Sequence, residues 1–356
     1  MRRAAILLTL LTGCATTTEV VPDAWLSVPR APQIRAVQLD AAGKVTTALQ
    51  PLRAGDIRVE GNRIYRGDKP LSPGFDAIES FDVSESRGEV AFSAKRGDNF
   101  DVGLVSTDGS PVSWIPPETA DEVNVHWAPR GNKLAFVVRS KNGDFLRTVH
   151  IPTAAQLSVD FEGAKIETLG WDPNGDRFAV AYSTPDASDR VEVMAYSGAS
   201  RKMVLKPAEQ LPIEVATFAP GAVSLRPREI EYNEKLPLVI WIDDDPFAWN
   251  DARADLIRNA RVAVIVTRRL SDTIWAAGEE TPWIDATRTF VVNGRRAESP
   301  PLHKYVIIAP DPKLPSGRYR RTGTTVAVAP DVVQSFAARF IADALKRTGP
   351  TNGSSQ

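Results

Sequence analysis

A pattern that returns at a fixed interval constrains this chain more than any other feature. One copy reads Val125-His126-Trp127-Ala128-Pro129-Arg130-Gly131-Asn132-Lys133-Leu134-Ala135-Phe136. Another, 44 residues on, reads Leu169-Gly170-Trp171-Asp172-Pro173-Asn174-Gly175-Asp176-Arg177-Phe178-Ala179-Val180. Trp127, Pro129 and Gly131 thus recur as Trp171, Pro173 and Gly175, each set followed by apolar-Ala-apolar. A third copy lies 44 residues earlier, with Val83 in the tryptophan place and its glycine, Gly88, displaced by one. A weaker copy starts at Phe218-Ala219-Pro220-Gly221. Pro and Gly turn the chain tightly between two strands. Alternating segments such as Arg190-Val191-Glu192-Val193-Met194 supply further strands. Such a unit, with about four short antiparallel strands, cannot bury its apolar faces alone and must stack on its neighbours. The expected fold class is therefore mixed: an N-terminal antiparallel β-propeller followed by a smaller C-terminal α/β domain.

The segments Trp127-Ala128-Pro129-Arg130-Gly131 and Trp171-Asp172-Pro173-Asn174-Gly175 resemble the repeat of the TolB-like propellers. That repeat runs aromatic-Ser-Pro-Asp-Gly and carries no chemistry of its own. Ala128 and Asp172 replace its Ser, and Arg130 and Asn174 replace its Asp, which predicts turns with fewer internal hydrogen bonds. An eroded unit is expected over residues 34–75, making four to five blades between residues 34 and 228.

Composition bounds what such a chain can do. Among 356 residues, 43 Lys and Arg face 44 Asp and Glu, so bulk attraction to nucleic acid is excluded. Hydrophobic residues at 43% and charged residues at 24% describe a globular chain. The single cysteine, Cys14, closes Met1-Arg2-Arg3-Ala4-Ala5-Ile6-Leu7-Leu8-Thr9-Leu10-Leu11-Thr12-Gly13-Cys14. Its apolar stretch is far shorter than the roughly 20 residues of a membrane span. Leu11-Thr12-Gly13-Cys14 resembles the lipobox of bacterial lipoproteins. The resemblance implies a signal peptide over residues 1–14, cleavage before Cys14 and acylation of its thiol, palmitate included. Ala15 follows where an inner-membrane retention signal would place Asp, so the implied address is the outer membrane, facing the periplasm. Residues 15–33, rich in Thr and Pro, are expected to be a tether.

From residue 229 the pattern changes. Leu236-Pro237-Leu238-Val239-Ile240-Trp241-Ile242 is a continuous apolar run, suited to a strand buried on both faces. A helix from Asp251 to Ala260 and a strand over Val262–Val266 complete a βαβ unit. More strands are expected at Thr289–Val292, Tyr305–Ala309 and Thr325–Val328, then a helix from Val332 to Arg347 capped by Asp331. This α/β domain is expected over residues 229–348, with a frayed tail at 349–356. The run from Tyr232 to Ile242, followed by Asp243-Asp244-Asp245-Pro246-Phe247, resembles the entry into the α/β-hydrolase domain of the prolyl oligopeptidase family. No Gly-x-Ser-x-Gly elbow occurs anywhere, and His303 is the only histidine in the domain, so the resemblance implies a degenerate one.

Asp243 and Asp245 form the candidate ligand site, because α/β proteins bind ligands at the carboxyl ends of strands. Two carboxylates there could hold a divalent cation. Asp-x-Asp after an apolar strand is also similar to haloacid-dehalogenase phosphatases, although Phe247 stands where their Thr would be. His126 and His150 read as structural and surface residues, and Trp275 and Trp283 as core or interface anchors. Arg318, Arg320 and Arg321, with Arg295 and Arg296, make a basic patch that could meet lipid headgroups or an acidic polymer.

The resulting expectation is a non-enzymatic lipoprotein, held to the membrane by Cys14 and presenting its propeller to envelope proteins. It has no catalytic residues, no cofactor, no metal and no nucleic-acid partner. Two alternatives compete. One is a divergent hydrolase, of the prolyl oligopeptidase type or metal-dependent through Asp243 and Asp245. The other is a cell-wall or carbohydrate-binding module.

Overall fold

The computed structural model describes residues 17–22, 36–48, 56–231, 233–293 and 306–347. They divide into two compact units, one built on Ala31–Gln210 and the other on the chain from Leu211 onward together with the N-terminal strand β1 (Thr17–Val20). The first unit is propeller-like and all β. The second is smaller and mixed α/β, as the repeat and the βαβ pattern led one to expect.

The propeller-like unit starts with a two-stranded sheet, β2 (Ala36–Leu39) and β3 (Val45–Ala48). A three-stranded sheet follows, β4 (Ile57–Glu60), β5 (Arg63–Arg66) and β6 (Lys69–Pro70). Three four-stranded meanders then coincide with the repeats. The first is β7 (Ile78–Ser84), β8 (Glu89–Arg96), β9 (Asn99–Ser106) and β10 (Ser113–Trp114). The second is β11 (Asp121–Trp127), β12 (Lys133–Ser140), β13 (Gly143–His150) and β14 (Ala155–Glu162). The third is β15 (Lys165–Trp171), β16 (Arg177–Thr184), β17 (Ala187–Ala195) and β18 (Lys202–Leu205).

The apolar side chains lie between sheets, as stacking requires. Ile57, Ile64 and Leu71 pack on Val90 and Phe92 of the first meander. Leu104 of that meander packs with Trp127 and Phe136 of the second, and Leu146 and Val159 of the second pack with Trp171 and Phe178 of the third. Val37 and Leu39 of β2 cover Ala179, Ala181 and Val191 on the far side of the third. Each fully buried Phe in these layers contributes about 1.5–3 kcal/mol.

Trp127 and Trp171 occupy matching places at the ends of β11 and β15, opposite Leu134 and Phe178. Their turns close alike: the Gly131 N–H donates to the Ala128 carbonyl at 2.8 Å, and the Gly175 N–H to the Asp172 carbonyl at 2.9 Å. Both glycines sit in the left-handed region, at φ +67° and +70°, where a side chain is strained. The expectation of poorer bonding fails at Asp172. Its Oδ1 accepts the Asp176 and Arg177 N–H groups at 2.9 and 3.1 Å. Burial works against that charge, but these N–H groups and the Arg177 guanidinium outweigh it and hold the carboxyl below the usual range.

The second unit holds a sheet of nine described strands. These are β1 with β19 (Ile213–Ala219), β20 (Ala222–Pro227), β21 (Leu236–Ile242), β22 (Ala263–Thr267), β23 (Ile284–Asn293), β24 (Val306–Pro310), β25 (Arg318–Thr322) and β26 (Thr325–Val328). Their order is β1-β25-β26-β24-β23-β21-β22-β20-β19. β21 runs parallel to both its neighbours, β22 and β23, and all seven of its residues are buried. Three helices among the described residues accompany the sheet: α1 (Asp251–Asn259), α2 (Asp272–Glu280) and α3 (Val333–Arg347). None of the described helices is long and apolar enough to cross a membrane.

Two expectations change here. The weak repeat copy at Phe218–Gly221 is no blade. Its strands β19 and β20 form a hairpin, and β20 pairs antiparallel with β22 of the C-terminal sheet. The Pro220-Gly221 turn is local, a two-residue reversal between Ala219 and Ala222, whereas the partner of its second strand is a long-range choice. The stretch expected to be a tether also carries structure. β1 pairs antiparallel with β25 across Thr17↔Arg321, Thr18↔Arg320, Glu19↔Tyr319 and Val20↔Arg318.

Candidate functional site

The carboxyl end of β21 is where the α/β unit gathers polar groups. The apolar run places β21 centrally, and the chain leaves the sheet at Asp243, whose N–H donates to the Thr267 carbonyl at 2.9 Å. Asn250 then caps α1, its Oδ1 accepting the Arg253 N–H at 2.9 Å. Its amide Nδ2 donates to Asp243 Oδ2 at 3.2 Å and to Gln334 Oε1 of α3 at 3.0 Å. Arg253, wholly buried on the first turn of α1, reaches Asp243 Oδ2 with Nη1 at 3.4 Å. Burial pulls the Arg253 guanidinium below its ordinary range, and the Asp243 charge opposes that.

Asp243 and Asp245 are brought together. The Asp245 N–H donates to Asp243 Oδ1 at 3.3 Å, so the turn ties the Asp243 side chain to the Asp245 backbone. Asp243 accepts from a backbone N–H, an amide and a guanidinium, which makes it a held anion suited to positioning neighbours. Among the described residues no group of three or more His, Cys, Asp or Glu is arranged to hold a metal ion. Asn250, Arg253 and Gln334 were not singled out in the sequence. Asn250 carried a readable signal as a cap residue before Asp251. Arg253 and Gln334 carried none, since only packing shows which way they face. Cys14, Arg295, Arg296 and His303 lie outside the described residues.

The propeller-like unit holds a second polar cluster. His126, expected to be structural, has its Nε2 2.9 Å from Asn124 Oδ1. Burial pushes the imidazole below its ordinary range, against Asp82 and Glu79. Burial likewise raises the Asp82 carboxyl, although it accepts the Trp127 N–H at 2.7 Å. His150 pairs with Thr153 at an exposed turn, as a surface residue does. Glu122 is fully buried, and desolvation raises its carboxyl to about 7 despite a 3.1 Å bond from the Val102 N–H. An acid raised in the folded state binds more protons there than when unfolded, so stability falls as pH rises from about 4.5 to about 7. Urea midpoints measured across that window are expected to drop with pH in the parent. In Glu122→Gln that part of the slope is expected to vanish.

Trp275 packs against the apolar cluster beneath α2. Trp283 joins the same cluster and lies 5.2 Å beneath the Arg226 guanidinium. Both are therefore core anchors in this unit.

No family model matches the chain. A WD repeat-containing protein, AAC3 of Dictyostelium discoideum, is 30% identical over 83 residues, which is 23% of this chain and 14% of that protein. An acylaminoacyl peptidase in complex with a chloromethyl ketone is similar with a TM-score of 0.49 at 10% identity, covering 64% of this chain and 42% of its own. The acylaminoacyl peptidase of Pyrococcus horikoshii gives 0.49 at 11%, covering 70% and 48%. Dipeptidyl peptidase 4 of Porphyromonas gingivalis gives 0.48 at 12%, covering 70% and 47%. The chain thus spans less than half the length of each of these structures. The chain's own arrangement is a propeller-like region ahead of a smaller mixed α/β domain. The expectation of a non-enzymatic interaction protein is corrected at this point, since all three of these solved structures are peptidases.

Proposed function

We propose that this chain is a divergent hydrolase of the prolyl-oligopeptidase type, acting on peptide or ester acyl bonds and held to a membrane through Cys14. The observation that carries the hydrolase reading is the strand end itself. A strand buried along its whole length delivers Asp243 and Asp245 to the carboxyl edge of a parallel sheet, beside the N-terminus of α1. That edge is where α/β enzymes place their reacting groups. With no Gly-x-Ser-x-Gly in the chain, the nucleophile in this reading is water. Asp245 takes its proton as general base and returns it to the departing amine or alcohol as the acyl bond breaks, and Asp243, tied to Arg253 and Asn250, holds the turn in place.

The anchor reading is supported by the lipobox-like Leu11-Thr12-Gly13-Cys14, the chain's only cysteine standing at its required place. Outer-membrane attachment facing the periplasm follows from Ala15 after Cys14. The TolB-like character of the repeats is supported by the aromatic-x-Pro-x-Gly turns at Trp127 and Trp171.

Aminoacyl p-nitroanilides and p-nitrophenyl acyl esters test the activity. Turnover by the full chain is expected, falling about 100-fold or more in Asp245→Asn, as loss of a general base does, with the circular dichroism spectrum unchanged. Absence of turnover across both substrate classes would refute the reading.

A further inference from the structure

We infer that the β1–β25 edge of the α/β unit is a membrane-apposed face that recognises anionic phospholipid headgroups through Arg318 and Arg320. The inference rests on the anchor reading above, and adds to it a surface and an orientation.

The first observation is distance along the chain. Cys14 precedes Thr17 by three residues, and three residues span about 11 Å at full extension. Thr17 is the first residue of β1, and β1 is hydrogen-bonded to β25 along its whole length. The Val21 N–H extends the pairing to the Gly317 carbonyl at 2.8 Å. An acyl chain on Cys14 therefore cannot carry this edge far from the headgroups, because β1 is part of the sheet.

The second observation is what the edge presents. Arg321 stands opposite Thr17, at the end nearest Cys14, followed by Arg320 opposite Thr18 and Arg318 opposite Val20. Alternate residues of a strand share a face. Tyr319 is turned toward α3, its ring centroid 4.9 Å from that of Phe336. Arg318, Arg320 and Thr322 belong to the opposite face, and Arg321 shares that of Tyr319. Arg320 is engaged by Asp311 at 3.0 Å, whereas Arg318 forms no ion pair among the described residues. Val20, opposite Arg318, is 58% exposed, the highest of the exposed large hydrophobic residues described. An apolar side chain beside a guanidinium that forms no ion pair among the described residues suits the boundary between headgroup phosphates and acyl chains. Arginine forms paired hydrogen bonds to phosphate oxygens, which lysine does not.

Cys14 is the only cysteine, and acylation consumes it, so Thr322→Cys gives the lipidated chain one free thiol on the arginine face. The test labels that thiol with a fluorophore and reconstitutes the full chain into vesicles carrying a headgroup-linked quencher. Strong quenching is expected in vesicles of phosphatidylglycerol and phosphatidylethanolamine, and weak quenching in phosphatidylcholine. In R318Q/R320Q the apposed fraction is expected to fall about fivefold for Arg318, and by less for Arg320. Molar salt should reproduce the loss. One label per chain with equal quenching in parent and double variant overturns the headgroup face. Two labels per chain mean that Cys14 is unacylated, which overturns the anchor reading and the inference with it.

Discussion

Asp243→Ala is expected to lower the unfolding free energy by about 3–5 kcal/mol, measured by urea denaturation at neutral pH. The reason lies in Arg253. Its side chain is 1% exposed, and Asp243 Oδ2 stands 3.4 Å from its guanidinium. Removing one partner of a buried pair leaves a charge with reduced compensation in a medium that solvates it poorly. Asn250 Nδ2 loses an acceptor in the same step and keeps only Gln334. Asp243→Asn preserves shape and an acceptor oxygen, so a smaller loss is expected. A result near zero for both would mean that Arg253 is held by its other contacts and that Asp243 is a solvated turn residue.

Gly170→Ala is expected to be as damaging, by a different route. A Cβ on Gly170 would lie 1.9 Å from the Val37 carbonyl oxygen and 2.8 Å from its carbon, both backbone atoms of β2. No rotamer relieves a clash with backbone, so β2 must leave β15. With it would go the cover that Val37 and Leu39 provide over Ala179, Ala181 and Val191. A loss of about 3 kcal/mol is expected, at the upper end for overpacking, with amide exchange accelerating first in β2 and β3. Gly163→Ala is the control. Gly163 has φ +69°, but a methyl group there would meet nothing within 4 Å, so the cost is only backbone strain, about 1 kcal/mol.

These variants mark the limits of a reading made from residues alone. The turns at Gly131 and Gly175 were legible because a left-handed backbone and a tight reversal are requirements met within a few residues. The strand at Leu236–Ile242 and the helix at Asp251 were legible for the same reason, through an apolar run and a cap. α2, with Ser271 as its cap, and β25, with three arginines, were missed, because neither has a strong periodic pattern. The candidate site was half visible. Asp243 and Asp245 stood out as carboxylates after a strand, whereas Arg253 looked like any charged residue on a surface helix.

Sequence by itself determined the stacked, Gly-turned meanders and the buried parallel strand, since each follows from φ preference, residue period and apolar length over a short stretch. Only the tertiary structure decided that the Phe218–Gly221 hairpin pairs with β22, that β1 closes on β25 and that Arg253 turns inward to Asp243. Those choices set segments far apart in the chain against one another, and their free energy comes from the partner that wins, which no local pattern records.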